Sequence, residues 1–167
     1  MKNKLIFSTL LILLTITYQS FAQSLVSQSS VKITGELTSP LDLKISDLDQ
    51  YAQTEVMRTD KDGKEHRYSG VVLSAILQKA GVTLGSELKG KNLTKYVEVT
   101  AADGYQVVFA LAELDKNFTD RLVILANKAD GKPLLPSEGP FRIIVQDEKK
   151  PARCVRQVTG IRVLISK

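Results

Sequence analysis

Tyr96-Val97-Glu98-Val99-Thr100-Ala101-Ala102-Asp103-Gly104-Tyr105-Gln106-Val107-Val108-Phe109-Ala110 is the stretch that decides the fold. Two runs rich in β-branched and aromatic residues, 96–100 and 106–110, flank a short segment with Asp103-Gly104 near its centre. They read as paired strands folding back on one another. Upstream, Leu73, Ile76, Leu77 and Ala80 follow i, i+3, i+4, i+7 spacing, and Gly81 stands where a left-handed cap is wanted, which predicts a helix burying one face. Before it, Val56 to Thr59 and Glu65 to Tyr68 flank Asp62-Gly63, a hairpin signal. Val31 and Ile33, then Leu41, Leu43 and Ile45, alternate with polar partners and predict two short strands joined at Ser39-Pro40. Ser46 is then placed to cap a short helix through Tyr51, with Asp49 in its first turn.

Downstream, Leu122 to Leu125 and Arg142 to Val145 are apolar runs suited to buried strands. Asp130-Gly131-Lys132-Pro133 reads as a turn, followed by a Pro/Gly-rich loop through Pro140. Ile161 to Ile165 forms the closing strand. Strands outnumber helices, and no regular βαβ rhythm is present, so the expected class is α+β with a mixed, mostly antiparallel sheet and short helices.

The ends and the composition set the context. Met1-Lys2-Asn3-Lys4, an apolar run from Leu5 to Ile16, and Ser20 and Ala22 before Gln23 read as a signal peptide over residues 1–22. The apolar run is about 12 residues, short of the roughly 20 that span a membrane, so no transmembrane segment is expected after cleavage. No twin-arginine pair precedes the run, so the signal is of the Sec type and the expected location is periplasmic or secreted. Residues 23–30 are Ser/Gln-rich and read as a flexible N-terminal segment, leaving one domain over 31–167. The chain carries 23 Lys and Arg against 18 Asp and Glu. Without Lys2 and Lys4 the balance is 21 − 18 = +3, too mild to argue for nucleic acid. The single cysteine, Cys154, cannot form an internal disulfide and reads as a packed thiol.

The chemistry is concentrated in one place. His66, the single histidine, lies in the Asp62-Gly63 hairpin and reads as a solvated or strand-edge residue. Asp60, Asp62 and Glu65 lack the glycine placement of a calcium loop. No metal is assigned. Lys149-Lys150-Pro151-Ala152-Arg153-Cys154-Val155-Arg156, with Arg142 upstream, is a cationic stretch whose guanidinium forks suit phosphate or carboxylate. The anion contacts expected from it are Arg142, Lys149, Arg153 and Arg156, with Asp103 and Tyr105 shaping the rim.

A resemblance rests on a succession of segments. They are Tyr68-Ser69-Gly70-Val71-Val72-Leu73 with Leu77 to Val82, Val99 to Tyr105, Glu138 to Val145, Lys150-Pro151-Ala152-Arg153, and Val155 to Val158. In this order the chain resembles the molybdopterin-binding domain of sulfite-oxidase-type oxidoreductases, from about Val31 to Ile165. The resemblance implies a mixed α+β fold around a pterin pocket and molybdopterin as the cofactor. It also implies a molybdenum-ligating cysteine before Tyr68, yet Glu55 to Arg67 holds none, and no Asp or His there is an obvious substitute for a soft thiolate. The expectation is an exported module keeping a pocket for an anionic pterin-like molecule but lacking a competent molybdenum centre. Two alternatives stand beside it: an active molybdenum-dependent oxidoreductase of the sulfite oxidase type, and a periplasmic domain that docks a redox partner without a small ligand.

Overall fold

The computed structural model describes residues 30–166, so the expected signal peptide and nearly all of the N-terminal segment lie outside the described residues. Ten strands and one α-helix follow one another as β1 (Ser30–Gly35), β2 (Leu41–Lys44), β3 (Gln53–Thr59), β4 (Glu65–Val72), α1 (Leu73–Lys79), β5 (Lys95–Ala101), β6 (Gln106–Ala110), β7 (Val123–Ala129), β8 (Lys132–Pro133), β9 (Arg142–Val145) and β10 (Val158–Ile165). Short 3-10 turns occupy Ile45–Gln50, Gly85–Glu87, Gly90–Thr94, Leu111–Leu114 and Pro151–Arg153.

The strands divide into two sheets. The first has the order β2-β1-β10-β5-β6, and the second runs β3-β4-β7, with β8 and β9 both paired to β7. Every strand pair is antiparallel except β1 with β10, where Lys32 lies beside Gly160. The α+β, mostly antiparallel expectation holds, and each paired run read from the sequence is a strand.

Two local expectations are refined. The segment after β2 is a 3-10 turn rather than an α-helix, and its first backbone donor, Lys44 N–H, is met by Asp47 Oδ2 at 2.8 Å rather than by Ser46. Lys132–Pro133 leaves the predicted turn to pair briefly with Lys128–Ala129. Gly81 does adopt the left-handed conformation, φ +76°, and a Cβ there would collide with the Thr38 hydroxyl. That close approach lets Thr38 N–H and Ser39 N–H donate to the carbonyl of Ala80, the residue that caps α1, at 3.2 and 3.0 Å.

The main core lies between the sheets and α1. Ile33 and Leu43, Val97 and Val99, and Ile161 and Val163 from the first sheet meet Val71, Leu125, Ile143 and Val145 from the second, with Leu73, Ile76 and Leu77 of the helix. β7 and β9 are buried on both faces because a second, smaller apolar cluster lies behind them, made by Val56, Tyr68, Ile124, Ala126 and Ile144. Period-two alternation assigns successive residues to opposite faces. Arg142 therefore shares the smaller cluster's face with Ile144, and Arg58 shares it with Val56.

Candidate functional site

A cavity of about 650 Å³ opens where four loops meet: the β3–β4 turn, the β5–β6 turn, the segment leading into β9, and the stretch from Lys150 to Gln157. Its walls are stitched by hydrogen bonds between these loops. Tyr105 O–H donates to Ala152 O at 2.9 Å, Ala102 N–H to Gln157 O at 2.9 Å, and Gln157 N–H to Glu138 O at 2.8 Å. Asp103 accepts from Tyr105 N–H at 2.9 Å and so shapes the turn that carries the rim.

Four of the six expected site residues line this cavity: Arg142, Arg156, Asp103 and Tyr105. They differ sharply in availability. Arg142 is 1% exposed, and its guanidinium is committed: NH1 donates to Tyr68 Oη at 2.5 Å, to Glu138 Oε2 at 3.2 Å and to Asp60 Oδ2 at 3.3 Å, while NH2 reaches Asp60 Oδ1 at 3.4 Å. Tyr68 O–H in turn donates to Asp60 Oδ2 at 2.5 Å. Arg58 Nε lies 3.5 Å from Asp60 Oδ1, so this carboxylate sits between two buried arginines. Burial pushes the Asp60 carboxyl up, but the Tyr68 hydroxyl and the Arg142 and Arg58 charges outweigh it and hold the group below the usual carboxylate range. Burial and the bond to Asp60 push the Tyr68 phenol well up, so it serves as a neutral donor. Arg142 is thus a neutralised floor rather than a free anion contact.

Lys149 and Arg153 do not line the cavity, which corrects the sequence expectation. Arg153 is held by carboxylates: Nε and NH2 donate to the two Glu148 oxygens at 3.1 and 2.9 Å, NH1 to Glu113 at 2.9 Å, and the guanidinium lies 4.8 Å over the Phe109 ring. The bidentate bond to Glu148, followed by that to Glu113, raises the Arg153 pKa further. Lys150 has extended backbone, φ −119° and ψ 139°, so successive side chains point to opposite sides, and Lys150 rather than Lys149 faces the cavity.

The structure adds Lys61, Asp60 and Cys154 to the lining. Lys61 and Lys150 are exposed cations, and Arg156 is half exposed with one ion pair, to Glu138 Oε1 at 3.1 Å. These three form the usable positive rim. Cys154 is 5% exposed, as the reading of a packed thiol expected, yet it borders the cavity floor. Burial pushes its thiol up, away from the thiolate that a soft metal needs. No sequence signal marks Asp60 or Lys61 as site residues, because they reach the cavity through the tertiary placement of the β3–β4 turn.

The fold is thus an α+β domain that carries a cation-rimmed pocket at its loop junction. Residues 20–166 match the family model described as the oxidoreductase molybdopterin binding domain, and the chain belongs to that family. Among solved structures it is similar to the sulfane dehydrogenase SoxCD from Paracoccus pantotrophus, with a TM-score of 0.65 and 20% sequence identity, covering 83% of this chain and 38% of that one. The likeness is one of fold, and this chain spans well under half of that protein's length. No curated protein matches the sequence.

The residues fit the two parts of a molybdenum cofactor differently. The cavity volume and the Lys61, Lys150 and Arg156 rim suit a phosphate-bearing pterin. The metal is not served: β3, its turn and the start of β4 contain no thiol, and Cys154 is buried and held protonated. Among the described residues, no group of three or more His, Cys, Asp and Glu side chains is arranged to hold a metal.

Proposed function

We propose that this chain is an exported, periplasmic or secreted, binding module for an anionic pterin of the molybdopterin type, without molybdenum redox turnover of its own. The observation that carries this reading is the cavity between the β3–β4 turn and the Lys150–Gln157 segment, with Lys61, Lys150 and Arg156 at its mouth. A phosphate placed at the mouth meets Lys61 and Lys150, whose charges are not committed to the buried network, and Arg156, which is half exposed although paired with Glu138. Asp103 and Tyr105 then bound the pocket on the β5–β6 side. When bound, the pterin supplies two sulfur donors for a metal, and this chain's residues contribute anchoring and shape.

Lys150→Ala is expected to weaken binding of a phosphate-bearing pterin by about tenfold, roughly 1.4 kcal/mol, with raised salt weakening the unaltered site in parallel. Isothermal calorimetry checks both. Equal affinity in Lys150→Ala and in the remote control Lys32→Ala overturns the pocket assignment, and near-stoichiometric molybdenum with sulfite-oxidising turnover in protein from the native host overturns the non-catalytic part.

A second reading is favoured by two exposed apolar side chains near the cavities, Tyr105 at 49% and Leu135 at 66%. On that reading the same face docks a periplasmic redox partner, and Leu135→Ser, outside the pterin cavity, weakens partner capture while leaving pterin affinity within about threefold.

A further inference from the structure

His66 borders a second cavity, of about 560 Å³, which shares Asp60, Lys61 and Arg156 with the first. Its two ring nitrogens face carboxylates from two different turns. Nδ1 is 2.7 Å from Asp130 Oδ2 in the β7–β8 turn, and Nε2 is 3.2 Å from Asp62 Oδ2 in the β3–β4 turn. Each carboxylate is itself fixed by a backbone donor: Lys64 N–H reaches Asp62 Oδ1 at 3.0 Å, and Arg67 N–H reaches Asp130 Oδ1 at 2.9 Å. The imidazole therefore ties two hairpin ends together.

A neutral imidazole carries one N–H and one lone pair, whereas the charged ring carries two donors. Two ionised carboxylates at hydrogen-bond distance can both be served only by the charged ring. We infer that His66 is a proton-operated clasp between the β3–β4 and β7–β8 turns, closed when the ring is charged and released on the Asp62 side when it is neutral. Asp62 is the side that yields because its contact is the longer one. Asp60 and Lys61, in and beside the same turn, wall both cavities, so release of Asp62 loosens the cavity mouth. The clasp does not depend on what occupies either cavity.

The surrounding charges support it. Lys64 and Arg67 flank the ring on its own hairpin, Arg58 pairs across from it on β3, and Lys132, Glu138 and Arg156 face it across the second cavity. Tyr68 is 6.4 Å away, ring to ring. The bond to Asp130, then that to Asp62, raises the His66 pKa above its ordinary value of 6.5. The Lys64 N–H and then His66 hold Asp62 below the usual carboxylate range, and His66 and then the Arg67 N–H do the same for Asp130. A raised histidine contributes stability fully below its ordinary pKa and loses it as pH rises through the raised value. The carboxylates set the acid limit, so the clasp is closed between their protonation and the deprotonation of His66.

As the single histidine, His66 gives one imidazole signal, which NMR of the purified chain can follow across pH without a variant. The expected result is a ring midpoint above 6.5, with the amide resonances of Lys61, Asp62 and Gly63 shifting at that same midpoint. Asp130→Asn and Asp62→Asn should both lower the ring midpoint, Asp130→Asn by more. Tip amides that do not follow the ring, or a ring midpoint unmoved in both variants, overturn the clasp.

Discussion

The two faces of the second sheet are built on opposite principles. One packs Val71, Val123, Leu125, Ile143 and Val145 into the main core with no charge among them. The other sets a small apolar cluster of five residues, Tyr68 among them, beside Arg58, Arg142 and Asp60, where each charge leans on its neighbours. Shape complementarity holds the first face, and mutual neutralisation holds the second. The charged face adjoins the cavity, so the fold places its most expensive interactions where the pocket needs a fixed floor.

The sharpest way to break this comparison is Arg142→Met, which leaves Asp60 and Glu138 without their shared buried partner. The expected loss is about 3 to 5 kcal/mol, a fall of roughly 10 °C in Tm, measured by chemical and thermal unfolding. Its counterpart on the apolar face, Ile143→Leu, keeps the volume and should cost under about 1.5 kcal/mol. Equal losses would erase the distinction between the faces.

Acid sharpens the same contrast. Because the Asp60 pKa is lowered by folding, its contribution is present above the ordinary carboxylate value of 3.8 and disappears as pH falls through the lowered value. Asp60→Asn should lower stability at neutral pH and flatten its decline between about pH 5 and pH 2. An unchanged slope would show that the arginines, not the carboxylate, set the balance. The smallest effect belongs to the rim: Arg156→Ala removes one half-exposed ion pair and should cost under about 1 kcal/mol of stability, while still weakening phosphate-bearing pterin in calorimetry.

Much of the fold was legible because its signals are local. Alternation marked β5, β6 and β10, helical spacing marked α1, and the positive φ at Gly81 followed from its place after Ala80. The division into two sheets was not legible, since it rests on pairings such as β7 with β9 and β1 with β10 that no neighbouring residues encode. Of the six residues singled out in the sequence, four line the cavity and two, Lys149 and Arg153, do not. Residues 150–152 and 154–156 border the cavity, yet the directions of Arg153 and Arg142 are set jointly by carboxylates near in sequence, Glu148 and Glu138, and by others far away in the chain, Glu113 and Asp60. Glu113 and Glu148 draw Arg153 aside, and Asp60 and Glu138 absorb Arg142. Lys61 enters through a hairpin that reads, by itself, as an ordinary turn.

β10 lies in the middle of the first sheet, between β1 and β5, and it is the last of the described strands. During synthesis β1 and β5 emerge with their facing edges bare, and the strand that joins them is made after every other described strand. The polypeptide therefore cannot complete this sheet before β10 has emerged. Until β10 is made, the two halves of the sheet, β2 with β1 and β5 with β6, share no ladder, and closure waits on contacts distant in sequence.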